Sequence, residues 1–306
     1  MESEKQEDPI PDKHESLANN GNNNHLPDET DAKSWTESVV ESVSSKPNTA
    51  VMPVGRDSEV YNMRHPNRGK AVIFNHMKFE NGQSTRHGTE TDEQKLKNCL
   101  LRLGFEVFVH RDLKRLEIMD VLHELRKEDH SDSDCLLIVV LSHGEKNKIY
   151  CSDSEYKPEM LWDSFTADVC PTLAGKPKIF FIQACRGDQL DSGIVLKANR
   201  TQTDSLPQKE EIMNYVVPNR ADFLIVYSTV EGYYSWRNTT EGSWFVQSLT
   251  KVLTSHKNKK DLLSMMTIVC REVALNFESN VPSNPTFDQK KQIPMINSTL
   301  IRDVYL

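Results

Sequence analysis

From Lys70 onward the chain alternates short apolar runs with segments of helical period, and this alternation restricts the possible folds more than any other feature. Residues 71–74, 105–109, 135–141, 178–182 and 223–227 have strand length and are rich in β-branched and aromatic side chains. Residues 92–103, 115–127, 158–169, 243–255 and 261–277 carry apolar residues at helical spacing. Strands separated by helices imply an α/β domain with a mostly parallel sheet covered on both faces. Thr91 with Gln94 forms a capping-box pattern; Leu96, Cys99, Leu100 and Leu103 supply the stripe behind it, and Gly104 is a stop. In the last helix Leu262, Met265, Met266, Val269, Val273 and Phe277 keep the helical period and read as core.

The alternation does not reach the beginning of the chain. Residues 1–31 hold nine Asp or Glu and two Lys, net −7, around the tract Asn19-Asn20-Gly21-Asn22-Asn23-Asn24, a composition that predicts disorder. Residues 32–67 stay polar and predict a flexible arm, with folding beginning in earnest near Gly69. Of the total charge of −8, only −1 then falls on the rest of the chain, so it lacks the basic stripe that a nucleic-acid binder needs. No run approaches a membrane span and the first residues are neither basic nor apolar, so neither membrane insertion nor secretion is expected and the cytosol is the expected location. On that ground the sequons at Asn238 and Asn297 are expected to carry no glycan. Six scattered cysteines without a CxxC pair argue against structural zinc and a disulfide framework; no metal and no cofactor is expected. Cys99, Cys135 and Cys270 lie in apolar periodic segments and read as core, but Cys185 follows a strand.

Two strand-like runs lead into reactive groups. Residues 178–182 run into Gln183-Ala184-Cys185-Arg186-Gly187, and 135–141 into Ser142-His143-Gly144. Open α/β folds place their chemistry just past strand ends, and a thiol with an imidazole suffices for covalent attack on a carbonyl. Cys185 is the expected nucleophile, with a thiol already partly ionised at neutral pH. His143 is the expected acid and base, protonating a leaving amine and then activating water. Residues 188–218 are polar, lack periodicity and contain Thr201-Gln202-Thr203-Asp204-Ser205. Such length inside a compact domain points to a functional or processed segment.

These motifs, together with Ser84-Thr85-Arg86-His87-Gly88-Thr89, Tyr233-Tyr234-Ser235-Trp236-Arg237-Asn238, Gly242-Ser243-Trp244-Phe245 and Lys290-Lys291-Gln292-Ile293-Pro294, occur in the order found in caspases. From about Arg68 to Leu306 the chain resembles that family, especially insect executioner members with short prodomains. The resemblance implies a caspase-like α/β fold with about six strands, and an Asp-directed cysteine endopeptidase of apoptosis made as a zymogen. It implies a prodomain at 1–31, an arm at 32–67, a large-subunit part at 68–204 and a small-subunit part at 205–306. Gly144 and Cys185 would supply the oxyanion hole, and a backbone carbonyl near Ser84 would orient His143 in place of a catalytic Asp.

By the same resemblance Arg86, Gln183 and Arg237 form the pocket for the substrate aspartate. Arginine forks suit this task because a carboxylate takes two parallel hydrogen bonds from one guanidinium. Tyr234 and Trp236 line the next pocket, Ser235 offers backbone groups to an extended peptide, Asn238 and Trp244 lie further out, and Phe287 is an aromatic lid on the 278–290 loop. Phe245 reads as core. An Asp-Glu-x-Asp preference follows, softened at its first position because the 278–290 loop carries Pro282 and Pro285 where vertebrate relatives carry phenylalanines. Processing is expected after Asp204 and Asp31, giving pieces of 173 and 102 residues (32–204 and 205–306). The implied partners are protein substrates, an upstream initiator caspase, a second processed copy in a homodimer, viral caspase inhibitors, and inhibitor-of-apoptosis proteins reading an exposed Ala32. Two other readings are a catalytically silent relative and a hydrolase for basic residues. Retention of Cys185, His143, Arg86 and Arg237 opposes both.

Overall fold

The computed structural model describes residue 50, residues 52–194 and residues 218–306. In chain order the first elements are β1 (Lys70–Asn75), α1 (Thr89–Arg102), β2 (Glu106–Arg111), α2 (Arg115–Lys127) and β3 (Leu136–Leu141). A small antiparallel sheet follows, built from β4 (Gly144–Glu145), β5 (Lys148–Tyr150) and β6 (Glu155–Tyr156). The chain continues through β7 (Lys178–Gln183), β8 (Phe223–Tyr227) and a ribbon of β9 (Arg237–Asn238) and β10 (Gly242–Ser243). Helices α3 (Trp244–His256) and α4 (Leu262–Asn276) lead to β11 (Met295–Ser298).

The central sheet has the order β11-β8-β7-β3-β1-β2, parallel throughout except for β11. In β3 and β7 every residue is buried, which is why each reads as an unbroken apolar run rather than an alternating one. Alternate residues still separate onto two faces. Ile73, Leu137, Val139, Ile179 and Phe181 pack with α1, α3 and α4, whereas Val72, Ile138, Val140, Phe180 and Ile182 pack with α2 and residues 156–173.

Three expectations from the sequence are corrected. Residues 158–169 do not form an α-helix but short 3-10 turns at Pro158–Leu161 and Asp163–Phe165, with another at Pro171–Leu173. The Ala167 N–H donates to Asn219 O and Thr166 is extended, so tertiary pairing takes the amide that a helix would use, while Leu161 and Phe165 remain buried. No capping box forms at Thr91: α1 begins two residues earlier behind Gly88, whose φ is 84°, and Gln94 instead donates to Asn98. Residues 52–67, expected as part of a flexible arm, lie against the body. Tyr61 is buried, its hydroxyl donating to Asp222 (2.8 Å) and accepting from Ile301 N (3.0 Å), and Val60 pairs with Asp303. The expected processing residues Asp31 and Asp204, and Ala32, lie outside the described residues. Among the described residues no helix is long and apolar enough to cross a membrane.

Candidate active site

The register of β3 on β7 pairs Leu141 with Gln183, so the two strands end level. His143 and Cys185, each two residues beyond its strand, therefore emerge at one edge of the sheet. Gly144 meets the cysteine backbone there: a Cβ on it would lie 2.5 Å from Cys185 O and 3.0 Å from Ala184 Cβ. Only glycine lets the two backbone segments approach this closely.

The imidazole of His143 has its Nε2 2.8 Å from Ser84 O. A carbonyl can only accept, so Nε2 carries the proton and Nδ1 keeps the lone pair. Burial pushes the pKa of His143 down, against the pull of the Ser84 hydrogen bond, and Arg86 and Arg237 add to the lowering. Cys185 Sγ accepts from Ser235 N (3.4 Å) and lies 3.7 Å from Ser235 O. Burial pushes its pKa up; the Ser235 N–H and the two arginines oppose this without cancelling it. Both shifts favour a neutral thiol beside a neutral imidazole, away from the partly ionised thiol expected of a free cysteine. The sulfur needs a base.

Arg86, on the loop between β1 and α1, is wholly buried. Its Nη1 donates to His76 O (2.8 Å) and Thr89 Oγ1 (2.9 Å), whereas Nε and Nη2 have no partner. Burial first, and the neighbouring Arg237 second, push its pKa down to about 9. Arg237 donates from Nε to His87 O (3.1 Å). Gln183 donates to Ser235 Oγ (2.8 Å) and leaves its Oε1 unpartnered. Asp92, buried on α1, draws its charge balance from both arginines while accepting from the Ser243 N–H and hydroxyl. The result is a dry cationic pocket with unused donors beside a thiol.

An aromatic wall extends from that pocket. Trp236 stacks on Trp244 (5.6 Å between centroids), and Phe287 meets both Tyr234 (5.9 Å) and Trp236 (6.4 Å) edge-on. Asn238 belongs to the same ribbon, but its Oδ1 accepts from Thr240 N and Glu241 N and so closes a turn. Phe245 is core, as expected. Sequence reasoning assigned no role to Gln292, which accepts from Trp236 N (2.6 Å) and donates to Ser228 O (2.7 Å), nor to Ser228, which joins Ala184 to Ser235. The motif around Gln292 was visible, but its task depends on a contact 56 residues away. Phe277, read as core, stacks on Trp244 at 5.5 Å and lengthens the wall. Among the described residues no cluster of side chains could hold a metal ion.

Residues 68–305 match the model of the caspase domain. Over 261 residues the chain is 51% identical to Caspase-1 of Spodoptera frugiperda, covering 85% of each. It is 48% identical to Caspase drICE of Drosophila melanogaster, covering 85% of this chain and 76% of that protein. The crystal structure of Caspase-1 from Spodoptera frugiperda superposes with a TM-score of 0.78 at 48% identity, over 84% of this chain and 97% of that one. The chain belongs to the caspase family, the cysteine proteases of apoptosis. Within it the close relatives are insect executioner caspases.

Proposed function

We propose that this caspase cleaves peptide bonds after aspartate, with Cys185 as nucleophile and His143 as acid and base. The observation that carries the reading is Arg86: a fully buried guanidinium with two unpartnered nitrogens is costly unless a ligand carboxylate completes it. Arg237 supplies a second cation. The Gln183 amide, turned by 180°, would offer its N–H₂ to the same carboxylate and its oxygen to the Ser235 hydroxyl.

As Sγ attacks the scissile carbonyl, its proton passes to His143 Nδ1. The tetrahedral oxyanion is held by the N–H groups of Gly144 and Cys185, each such donor being worth roughly 3 kcal/mol in the transition state. The imidazolium then protonates the amine, which leaves, and a thioester remains on Cys185. Water, deprotonated by His143, hydrolyses the thioester and releases the aspartate carboxyl. The tautomer held by Ser84 O suits both proton transfers.

The substrate preference proposed is Asp-Glu-x-Asp, strict at the final aspartate and softer at the first. Tyr234 and Trp236 line the small pocket before the aspartate, with Phe287 edge-on to both as an aromatic lid, while Ser235 offers backbone groups to the extended peptide. Asn238 and Trp244 lie toward the outer position. Activation is by cleavage after Asp204 and Asp31. Asp191, the competing aspartate in the same connection, is a poor substrate: it pairs with Lys291 in an antiparallel bridge, and its carboxylate accepts from Gly193 N. The homodimer proposed for the processed enzyme is supported by β11, which ends the sheet and, among the described residues, has no strand paired on its outer edge. Action in the cytosol, activation by an initiator caspase, and restraint by viral inhibitors and by inhibitor-of-apoptosis domains reading Ala32 complete the reading.

A positional peptide library profiled with processed enzyme tests the specificity, and Cys185→Ala tests the nucleophile. Loss of turnover with an unchanged melting curve is expected. Measurable turnover by purified Cys185→Ala protein would overturn the assignment.

A further inference from the structure

Phe79 packs against the His143 imidazole, ring centroids 5.0 Å apart and planes inclined at 44°. No step of the chemistry above uses it. Its backbone is pinned on both sides. Asp112, itself held at φ 52°, accepts from Met77 N (2.6 Å) and Lys78 N (2.9 Å), and Glu80 N donates to Ser152 O (2.6 Å). Behind Phe79 lies His76, with ring centroids 6.4 Å apart. That second imidazole is fully buried, both its nitrogens lack partners, and burial pushes its pKa down to about 4, so it backs the phenyl ring as a neutral plate.

We propose that Phe79 is a positioning residue for His143. It holds the imidazole in the orientation in which Nε2 donates to Ser84 O and Nδ1 is left for the thiol, and it keeps water from the ring. The geometry requires such a device. Ser84 holds the imidazole at Nε2 alone, its carbonyl at 2.8 Å and its hydroxyl at 3.4 Å, and no carboxylate grips the other edge; the ring can still swing about that one anchored nitrogen, and an aromatic body against its face removes this freedom. The charged or titratable neighbours are Arg86, Arg237 and Cys185 on the pocket side. On the Phe79 side they are neutral His76, the pinning Asp112, and exposed Lys78 and Glu80. Replacing Phe79 leaves all of these in place. Water then reaches the ring, the imidazolium is better solvated, and the pKa of His143 rises from its lowered position. Because a protonated His143 has no lone pair for the thiol proton, the acid limb of activity moves to higher pH.

The test compares processed wild-type, Phe79→Ala and Phe79→Leu enzymes on an aspartate-ending tetrapeptide amide across the acid limb. In parallel, the His143 ring is titrated by NMR in the Cys185→Ala background with and without the same changes. For Phe79→Ala, kcat falls about 10- to 100-fold, as expected for a misplaced catalytic group, while KM stays within about twofold. Both the acid limb and the NMR midpoint move upward. Phe79→Leu, which keeps apolar cover without the flat ring, lies between the two and carries the test if the alanine variant does not fold. A rise in KM at constant kcat would make Phe79 a wall of the substrate cleft and overturn the proposal, as would an unmoved NMR midpoint. The proposal rests on the Cys185–His143 reading. If the wild type fails to turn over the peptide, that reading fails, whereas the NMR midpoint judges Phe79 without any turnover.

Discussion

Replacing Arg86 with methionine should abolish most activity and stabilise the free enzyme. The first effect follows from the unpartnered Nε and Nη2, the donors assigned to the substrate carboxylate. Truncating one partner of a buried charge pair costs about 2 to 5 kcal/mol. With Arg237 still present the lower part of that range applies, so kcat/KM on an aspartate peptide should fall about 30- to 150-fold at 1.36 kcal/mol per tenfold. The second effect follows from the same burial. The pocket pushes the guanidinium pKa from 12.5 to about 9, which at about 1.4 kcal/mol per tenfold change in protonation means the charge is held at a cost of roughly 5 kcal/mol. Methionine fills a similar length without charge and forfeits the Nη1 bonds to His76 O and Thr89 Oγ1, worth about 1.5 kcal/mol each because the donor is charged. A net gain of about 2 kcal/mol remains, which raises Tm by a few degrees in a domain of this size. The assay pairs thermal melting with kcat/KM on peptides ending in Asp and in Asn. Undiminished preference for Asp over Asn, or a Tm several degrees below wild type, would refute the reasoning.

Two further outcomes test other parts of the chain. Asp204→Ala should block conversion of the precursor, whereas Asp191→Ala should leave it intact; a small fragment starting at Ser192 in N-terminal sequencing would overturn both. Lys178, buried 3.6 Å from Asp222 and 4.9 Å from the centroid of the Phe223 ring, has its pKa pushed down to about 8 by burial, against the pull of Asp222. An unfolded lysine holds its proton to about pH 10.4. Between about pH 8 and 10 the unfolded chain therefore binds more protons, and this group's contribution to stability rises with pH. Urea titrations should show that rise in wild type and its loss in Lys178→Met; parallel pH profiles for the two proteins would refute it.

Most of the sheet, and the position of a thiol and an imidazole just past two neighbouring strand ends, were legible in the sequence, because both depend on local pattern. β3 and the Ile179–Ile182 stretch of β7 are continuous apolar runs, and burial on both faces satisfies such runs, so Cys135–Leu141 and Lys178–Ile182 announced the middle of a parallel sheet. Cys185 and His143 stood out because each follows such a run. The Arg86 and Arg237 motifs pointed to a carboxylate by resemblance. By contrast, β11 follows no apolar run: Met295 and Ile296 are half-buried, Asn297 and Ser298 are exposed, and it becomes a strand by pairing with β8. The 158–169 stretch had helical spacing, yet its Ala167 amide found a better partner in Asn219 O.

The sequence by itself determined an alternating α/β body behind an acidic beginning, and a thiol and an imidazole at strand ends. These follow from period, composition and order along the chain. Only the tertiary structure decided the chemical state of the site. Desolvation in the packed site pushes the thiol pKa up, and the imidazole tautomer is set by Ser84 O, 59 residues upstream of His143. Arg86 is left with two unpartnered donors in a site that brings Arg237 of β9, Asp92 of α1 and Cys185 near it. Burial and hydrogen bonding between distant segments set these properties, and neither is a function of neighbouring residues in the chain.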